Sequence, residues 1–378
     1  METEVLDAWV GARVPDHDGA PALGAASSAL GAPELNFAAL EAAAQKLRAG
    51  EIVAIPTETV YGLAANALDA VAVGKIYAAK GRPSNNPLIV HVSNIDGAKE
   101  LVRVWPPEAD LLAEAFWPGP LTLVLEKKGD VVPAITTAGG PTVAIRCPRH
   151  PVALEIIRLC GFPLAAPSAN RSNAISPTTA QHVVDSLGGR IPLVLDGGPC
   201  NTGIESTVLD LTRVQPAILR PGVLSSSFLS EILQQKVAPA GAARVATDGI
   251  ETGHALTSPG QLPVHYAPET PLWLSRDFGR IADEIREVGA AGRPSAALFF
   301  SDRAAHYLEQ ARSGGVAVAG YQMPDDPTEY ARMLYARLHE LDHGGFGAIF
   351  CEMPPDDPVW AGVVDRLSRA GKILLRTY

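Results

Sequence analysis

Short apolar runs alternate with segments of helical spacing along most of this chain, and this alternation constrains the fold more than any other feature. Runs this short are typical of buried strands, since most helices are longer. The pattern begins with a helix that Asn36 caps and Gly50 ends. It predicts an α/β domain on a twisted sheet over residues 36–236. The predicted strands are 52–55, 88–90, 121–125, 143–145 and 193–195, and the further helices are 70–79, 107–116, 151–159 and 178–187.

A second alternation of strands and helices begins near residue 272. It predicts a smaller Rossmann-like domain over residues 272–378, with a parallel, doubly wound sheet. No G-x-G-x-x-G fingerprint occurs there, so no dinucleotide site is predicted. The segment 237–271 is rich in Gly, Ala, Pro and Thr and is predicted to be a linker. The predicted strands are 272–274, 296–300, 316–319 and 348–351, and the helices are 277–288, 303–312, 327–341 and 358–370.

Composition and charge narrow the class of protein. The chain has 378 residues and is 47% hydrophobic, which is enough for two domains with separate cores. Its formal net charge of −10 disfavours a broad electrostatic grip on nucleic acid, so no direct nucleic-acid partner is expected. Residues 1–35 lack a sustained period and are predicted to be a loose N-terminal leader or a partly ordered arm.

The cysteines and the absence of long apolar runs bear on the compartment. Cys147, Cys160, Cys200 and Cys351 are widely spaced, which favours neither a disulfide framework nor a zinc site. No apolar run reaches membrane-spanning length, and the start of the sequence lacks the basic region of a secretory signal. We therefore expect a cytoplasmic protein with no membrane partner.

Two polar pairs with i, i+2 spacing point to anion chemistry. Lys80 and Arg82 flank Gly81, and Ser168 and Asn170 flank Ala169. In an extended segment alternate side chains face the same way, so each pair can serve one spot. Arg and Lys together suit a polyphosphate. The spacing alone is equally compatible with solvated cations on a surface turn, and with a turn beside Pro167.

Longer motifs around these pairs resemble the threonylcarbamoyl-AMP synthases, in their long two-domain form, over about residues 36 to 378. The resemblance implies a YrdC-like catalytic domain, which is a twisted mixed sheet, followed by a linker and a smaller domain. The motifs are Pro56-Thr57-Glu58-Thr59-Val60-Tyr61-Gly62-Leu63, Lys80-Gly81-Arg82-Pro83, Asn86-Pro87-Leu88-Ile89-Val90-His91, Trp117-Pro118-Gly119-Pro120-Leu121-Thr122, Thr142-Val143-Ala144-Ile145-Arg146, Ala166-Pro167-Ser168-Ala169-Asn170, Glu205-Ser206-Thr207, Leu219-Arg220-Pro221-Gly222, Ser258-Pro259-Gly260 and His265-Tyr266-Ala267-Pro268.

The activity that the resemblance implies joins L-threonine, bicarbonate and ATP into threonylcarbamoyl-adenylate and pyrophosphate, for the t6A modification of tRNA. A tRNA threonylcarbamoyl transferase would be the downstream partner. A magnesium ion is expected with ATP, held largely by phosphates and water. Two anionic reactants meet in this reaction, so charge neutralisation and alignment are expected to dominate catalysis.

The resemblance also implies roles for individual residues. Lys80 and Arg82 would be the catalytic, phosphate-facing cations. Tyr266 would reach ATP from the linker, although a buried anchor for the linker is the alternative, and Ser176 has a helix cap as its alternative. Contacts to ATP are expected from Arg82, Asn86, Thr142, Ser168, Asn170, Ser176, Arg220 and Tyr266, and contacts to threonine from Thr59, His91, Arg146 and Ser206.

Two other functions remain open at this point. A basic concave sheet could hold RNA, which would show as salt-dependent affinity without ATP turnover. The same catalytic domain could also serve a carbamoyl-transfer enzyme with another substrate, but the His-Tyr-Ala-Pro linker and the second domain favour the threonine enzyme. The linker departs from the family pattern because uncharged residues precede His265, which puts a charged linker contact in doubt.

Overall fold

The computed structural model describes residues 1–10, 34–241, 265–290 and 294–374. The chain divides into two compact units. The first comprises Met1–Ser172 and Ser176–Gln261, and the second comprises Asn173–Ile175 and Leu262–Tyr378. Most of the predicted linker, 242–264, lies outside the described residues.

The first unit alternates strands with helices, as the apolar pattern predicted. Its elements are β1 Glu4–Asp7, β2 Trp9–Val10, β3 Glu34–Leu35, α1 Phe37–Arg48, β4 Val53–Ile55, β5 Gly62–Asn66, α2 Ala70–Lys80, β6 Ile89–His91, α3 Ile95–Lys99, α4 Pro107–Phe116, β7 Leu121–Glu126, β8 Thr142–Arg146, α5 Pro151–Cys160, β9 Leu164–Ala165, α6 Ala180–Leu187, β10 Leu193–Asp196, β11 Thr207–Asp210, β12 Ala217–Arg220 and α7 Ser226–Leu233.

A ten-stranded mixed sheet organises this unit within the described residues. The strand order is β1-β10-β4-β5-β9-β6-β8-β7-β11-β12, with parallel and antiparallel neighbours. One face packs against α2, α4, α6 and α7 and forms the larger apolar core. Because side chains alternate along a strand, the intervening residues of the same strands face the other side.

The second face of the sheet has two different halves. At the β10, β4, β5 and β9 end it is covered by α1 and α5, which pack in a second apolar cluster with Leu164 and Ala166. Strand β9 pairs with β6 so that Leu164 lies opposite His91. His91 therefore lies on this second face, beyond the part that α1 and α5 cover.

The amino-terminal segment contributes a strand to the sheet. Residues 4–7 form strand β1, which pairs in parallel with β10 at the edge of the sheet, so of the two predicted alternatives the partly ordered arm, not the loose leader, describes these residues. Asp7 lies opposite Asp196, and the backbone N–H of Ala8 donates to the Asp196 carbonyl. Residues 11–33 of the predicted leader lie outside the described residues.

The second unit is the predicted small, parallel, doubly wound domain, so the fold class is confirmed for both parts. Its five-stranded sheet has the order β15-β14-β16-β13-β17, and every pairing is parallel. Helices α8 and α9 contact each other, as do α10 and α11. The elements are β13 Leu272–Ser275, α8 Phe278–Ala290, β14 Ser295–Phe299, α9 Asp302–Ser313, β15 Val318–Gln322, α10 Pro327–Asp342, β16 Ala348–Glu352, α11 Ala361–Ala370 and β17 Lys372–Ile373.

All four cysteines are free and buried. Burial raises the pKa of the Cys147 and Cys160 thiols to about 11, so both stay protonated near neutral pH. Among the helices that the structure describes, none has the length and apolar character needed to cross a membrane.

Candidate active site

A row of buried polar side chains crosses the half of the second face that α1 and α5 do not cover. His91 on β6 lies opposite Arg146 on β8, and Val208 on β11 lies opposite both Thr122 on β7 and Arg220 on β12. A small apolar cluster of Ile89, Val124, Ala144 and Val208 lies in the same region of the sheet. We call this region the polar half, defined by His91, Thr122, Arg146, Ser206 and Arg220.

The loop between β4 and β5 adds a second layer of polar groups. Arg146 Nη2 lies 2.7 Å from Glu58 Oε1, and both side chains are only 4% exposed. Arg146 also donates from Nη1 to Thr59 Oγ1 at 2.9 Å and from Nε to the Gly119 carbonyl at 3.1 Å. The Thr59 hydroxyl in turn lies 2.9 Å from that of Thr57. The guanidinium that we expected to bind the threonine carboxylate is thus already held by protein groups.

The two polar pairs of the sequence do meet, but Lys80 is not extended as predicted. Lys80 is the last residue of α2, and Gly81 ends the helix in the left-handed region with a φ of 62°. The Lys80 ammonium donates to the backbone carbonyls of Ser168 and Asn170 and lies 3.4 Å from Asn170 Oδ1. This cation therefore joins the end of α2 to the Ser168–Asn170 turn.

Arg82 turns into its own loop. It donates from Nε to the Asn86 carbonyl at 3.3 Å and from Nη2 to the Pro87 carbonyl at 3.0 Å. The Asn86 side chain is 1% exposed, and its amide nitrogen and oxygen have no hydrogen-bond partner among the described residues. A buried amide with unused donors and acceptors is costly, and such groups often mark a ligand site.

Ser176 and Glu205 form the next part of the site. The Ser176 hydroxyl donates to Glu205 Oε1 at 2.5 Å, and both side chains are buried. Ser176 is not the helix cap that the local sequence also allowed, because Thr179 caps α6 by accepting from the backbone N–H of His182. Glu205 also interacts electrostatically with Lys80 at the end of α2, and it directly precedes Ser206 in the chain.

Ser206 and Arg220 lie at the far strands of the polar half. Arg220 donates from Nη2 to the Ser206 hydroxyl at 3.1 Å and to the Ser206 carbonyl at 3.0 Å. The same hydroxyl lies 2.7 Å from Thr122 Oγ1. These bonds hold two of the predicted ligand-contacting residues against each other.

Burial sets the protonation of two site residues. It lowers the pKa of His91 to about 3, and the neighbouring Arg146 lowers that pKa as well, so His91 is neutral at pH 7. Burial also lowers the pKa of Lys80 well below its usual value, with a smaller contribution from Arg82 and an opposing one from Glu205. An incoming polyphosphate would favour the charged form of this lysine.

Two further predicted residues are Thr142 and Tyr266. Thr142 begins β8 and Arg146 ends it, so they share a face about 13 Å apart, at roughly 3.3 Å per residue. Tyr266 belongs to the second unit, where its ring lies 5.8 Å from that of Tyr335 and 5.1 Å below the guanidinium of Arg366. Its contact with ATP stays a prediction.

Sequence reasoning missed two site residues, Glu58 and Glu205. Both lie inside motifs that we had singled out, directly before Thr59 and Ser206. A carboxylate directly before a residue assigned to a pocket was the available signal, because such a side chain cannot point into an apolar core without a partner.

Comparison with known proteins extends over both units. The family model Sua5_yciO_yrdC, described as telomere recombination, matches residues 45–222. A second model, the C-terminal domain of threonylcarbamoyl-AMP synthase, matches residues 225–371. The match therefore includes the second domain, which a relative that shares only the catalytic domain would lack.

Similar proteins named threonylcarbamoyl-AMP synthase occur in archaea, bacteria and fungi. The threonylcarbamoyl-AMP synthase of Pyrococcus abyssi is 39% identical over 87% of this chain and 92% of its own length, and that of Bacillus subtilis is 41% identical over 87% and 91%. The crystal structure of P. abyssi Sua5 complexed with L-threonine superposes with a TM-score of 0.80 at 36% identity, over 90% of this chain and 97% of that one. This chain therefore belongs to the Sua5-type threonylcarbamoyl-AMP synthases, the ATP-using transferases of the tRNA t6A pathway.

Proposed function

We propose that the polar half and the loops around it bind ATP and L-threonine side by side and join them through bicarbonate. The observation that supports this best is the composition of the buried network. Among the described residues that the contacts above join, four cations, Lys80, Arg82, Arg146 and Arg220, lie with two carboxylates, Glu58 and Glu205. In a chain of net charge −10, a buried excess of cations suits a small, multiply charged anion.

The reaction proceeds in two steps. In the first, the threonine amine attacks the carbon of bicarbonate, a C–O bond of bicarbonate breaks, and water is released, so that a carbamate remains. A carbamate oxygen then attacks the α-phosphorus of ATP, the bond to the β-phosphate breaks, and pyrophosphate leaves. Because carbamate and triphosphate repel each other in water, the protein contributes mainly by neutralising and aligning them.

On the nucleotide side, Lys80 and Arg82 neutralise the phosphates. Lys80 is fixed by the Ser168 and Asn170 carbonyls, so it can serve a phosphate without a large loss of side-chain entropy. The unused amide of Asn86 is available for the nucleotide. Ser168, Asn170, Ser176, Thr142, Arg220 and Tyr266 complete the proposed ATP contacts.

On the amino acid side, Arg146 takes the threonine carboxylate with a forked contact, once its bonds to protein groups rearrange. His91, being neutral, offers a hydrogen bond rather than a charge. Thr59 and Ser206 supply hydroxyls. L-Threonine is the ligand named for the P. abyssi relative, and we extend it to this chain.

Magnesium enters as part of the ATP substrate in this proposal. The described part of the chain has no group of three or more His, Cys, Asp or Glu side chains arranged to hold a metal. Phosphate oxygens and water are therefore assigned as its ligands. The product would pass to a tRNA threonylcarbamoyl transferase in the cytoplasm.

The test measures pyrophosphate release with ATP, Mg²⁺, bicarbonate and L-threonine, each omitted in turn, and with L-serine in place of threonine. We expect release only with the complete mixture and a clear preference for threonine. Arg82→Ala should lower kcat/KM by about 100-fold, the scale for losing one charge contact to the transition state.

Arg103→Ala is the matched control, because Arg103 is 67% exposed and pairs with Glu126 at the surface. It should leave the rate unchanged. Release that continues without threonine or bicarbonate would contradict the proposed function. Equal losses in the two arginine variants would contradict the role of Arg82.

A further inference from the structure

Glu58 is a buried carboxylate whose hydrogen-bonding capacity is unused. Its side chain is 4% exposed, and neither carboxylate oxygen accepts a hydrogen bond from a described residue. Its ion-pair partner among those residues is Arg146, whose Nη2 lies 2.7 Å from Oε1. Buried carboxylates in proteins normally accept several hydrogen bonds, so this one requires an explanation.

The surroundings of Glu58 belong to the amino acid side of the site. Thr59, the next residue, accepts from Arg146 Nη1 at 2.9 Å. The loop thus presents a carboxylate and a hydroxyl on either side of the one guanidinium assigned to the threonine carboxylate. A free amino acid is a zwitterion at neutral pH. The buried Glu58 carboxylate and the buried Arg146 guanidinium, which lie next to each other, match its ammonium and its carboxylate.

We propose that Glu58 binds the α-ammonium of L-threonine and then accepts its proton. This inference rests on the proposed function and adds a reacting residue to it. The substrate zwitterion replaces the internal ion pair, with its carboxylate on Arg146 and its ammonium on Glu58. The site then gains no net charge on binding, which avoids the large desolvation cost of an unpaired buried ion.

The proton transfer balances with the carboxylation step. The ammonium gives one proton to the Glu58 carboxylate, which leaves a neutral amine and a neutral carboxylic acid. The amine then forms its N–C bond to bicarbonate, and the hydroxyl that leaves takes the second amine proton to become water. The product is the carbamate anion, which keeps one N–H.

The neutral form of Glu58 has a consequence for the second step. A charged Glu58 would repel the new carbamate, whereas the acid form can donate a hydrogen bond to it. Arg146 is then no longer neutralised by Glu58 and can hold the threonine carboxylate alone. The same proton transfer therefore activates the amine and prepares the site for its anionic product.

The test compares two ligands by calorimetry, L-threonine and 3-hydroxybutanoate, which is threonine without its amino group. The intact protein should bind threonine more tightly than the analogue. Glu58→Gln should weaken the binding of threonine by about 10- to 100-fold, the value of a charge-assisted contact, and should not weaken the binding of the analogue. If Glu58 only orients Arg146, the substitution should weaken the binding of both ligands alike.

Asp210→Asn is the matched control. Asp210 is another buried carboxylate of the same unit, 4% exposed and 2.7 Å from the guanidinium of Arg213. Its replacement should change neither affinity. If circular dichroism shows that Glu58→Gln does not fold, Glu58→Asp takes its place, and the ratio of the two affinities should again fall.

Three results would overturn the inference: equal affinity of the intact protein for both ligands, unchanged threonine affinity in the Glu58 variant, or equal weakening of both ligands. Each is distinct from failure of the proposed function, in which the intact protein would release no pyrophosphate in response to threonine.

Discussion

Two buried glutamates, one in each unit, show how the same side chain can be built into a fold in opposite ways. Glu352, 8% exposed, ends β16 and accepts from the backbone N–H groups of Phe300 and Ser301 at 2.9 and 3.1 Å, and from the Ser301 hydroxyl. Glu58 is buried to a similar degree, but none of the described residues donates a hydrogen bond to its carboxylate. One carboxylate is satisfied by its own domain, and the other is not.

Glu352 lies at the carboxyl end of β16. Strands β14 and β16 are neighbours, and their outgoing helices α9 and α11 lie on opposite faces of the sheet when the crossovers are right-handed. Ligands of doubly wound domains commonly bind outside the carboxyl ends of such strands, at helix amino termini. Here the Glu352 carboxylate accepts from the N–H groups of Phe300 and Ser301, which directly precede α9. It is satisfied within its own domain, whereas the site of the first domain still has unused polar groups.

The largest expected effect comes from removing the partner of Glu58. Arg146→Met leaves a buried carboxylate without its cation, which typically lowers the free energy of unfolding by about 3–5 kcal/mol. Urea denaturation, followed by hydrogen exchange of peptides from β8, measures this loss. Threonine-dependent pyrophosphate release should disappear in the same variant.

Arg213→Met is the control for that prediction. It removes the cation beside buried Asp210, but the Arg213 guanidinium is 41% exposed, and the Asp210 carboxylate also accepts from the Thr212 hydroxyl. We expect a loss below about 1 kcal/mol. Equal losses in the two arginine variants would show that Glu58 is no less satisfied than Asp210.

An intermediate effect is expected from Glu352→Gln. The amide keeps the shape of the side chain but places an N–H₂ group against backbone N–H donors, so the free energy of unfolding of the second unit should fall by about 1.5–3 kcal/mol. Hydrogen exchange resolved by peptide locates the change in 265–374. Pyrophosphate release by the folded protein should not change, and a loss of threonine dependence would show that Glu352 also serves the reaction.

The elements that carry strong apolar periodicity could be predicted from the sequence, and both sheets follow from them. Strand β1 could not, because four residues at Glu4–Asp7 carry no period of their own and are fixed by pairing with distant β10. The helical end at Lys80 was predictable after all, since a glycine directly after a lysine is a common helix stop.

The site was predictable only in part. Motif resemblance singled out the candidate residues, but it did not tell which of them contact each other. The pairing of Glu58 with Arg146 and of Ser176 with Glu205 joins loops that are far apart in sequence. A charged residue is exposed by default, so its burial follows from tertiary contacts that no local pattern records.

The smallest expected effect concerns His91, a buried group of the polar half whose charged form the surroundings disfavour. Its folded pKa of about 3 lies below its usual value of 6.5, so the unfolded chain binds a proton between these values and the folded chain does not. The free energy of unfolding should therefore fall as the pH drops below 6.5, by about 1 kcal/mol between pH 6.5 and 5.5. His91→Asn should remove this slope, which denaturation at pH 6.5 and 5.5 measures. His182→Asn, at a half-buried histidine of the same unit, should keep the slope, and an unchanged slope in His91→Asn would mean that His91 is accessible to protons in the folded state.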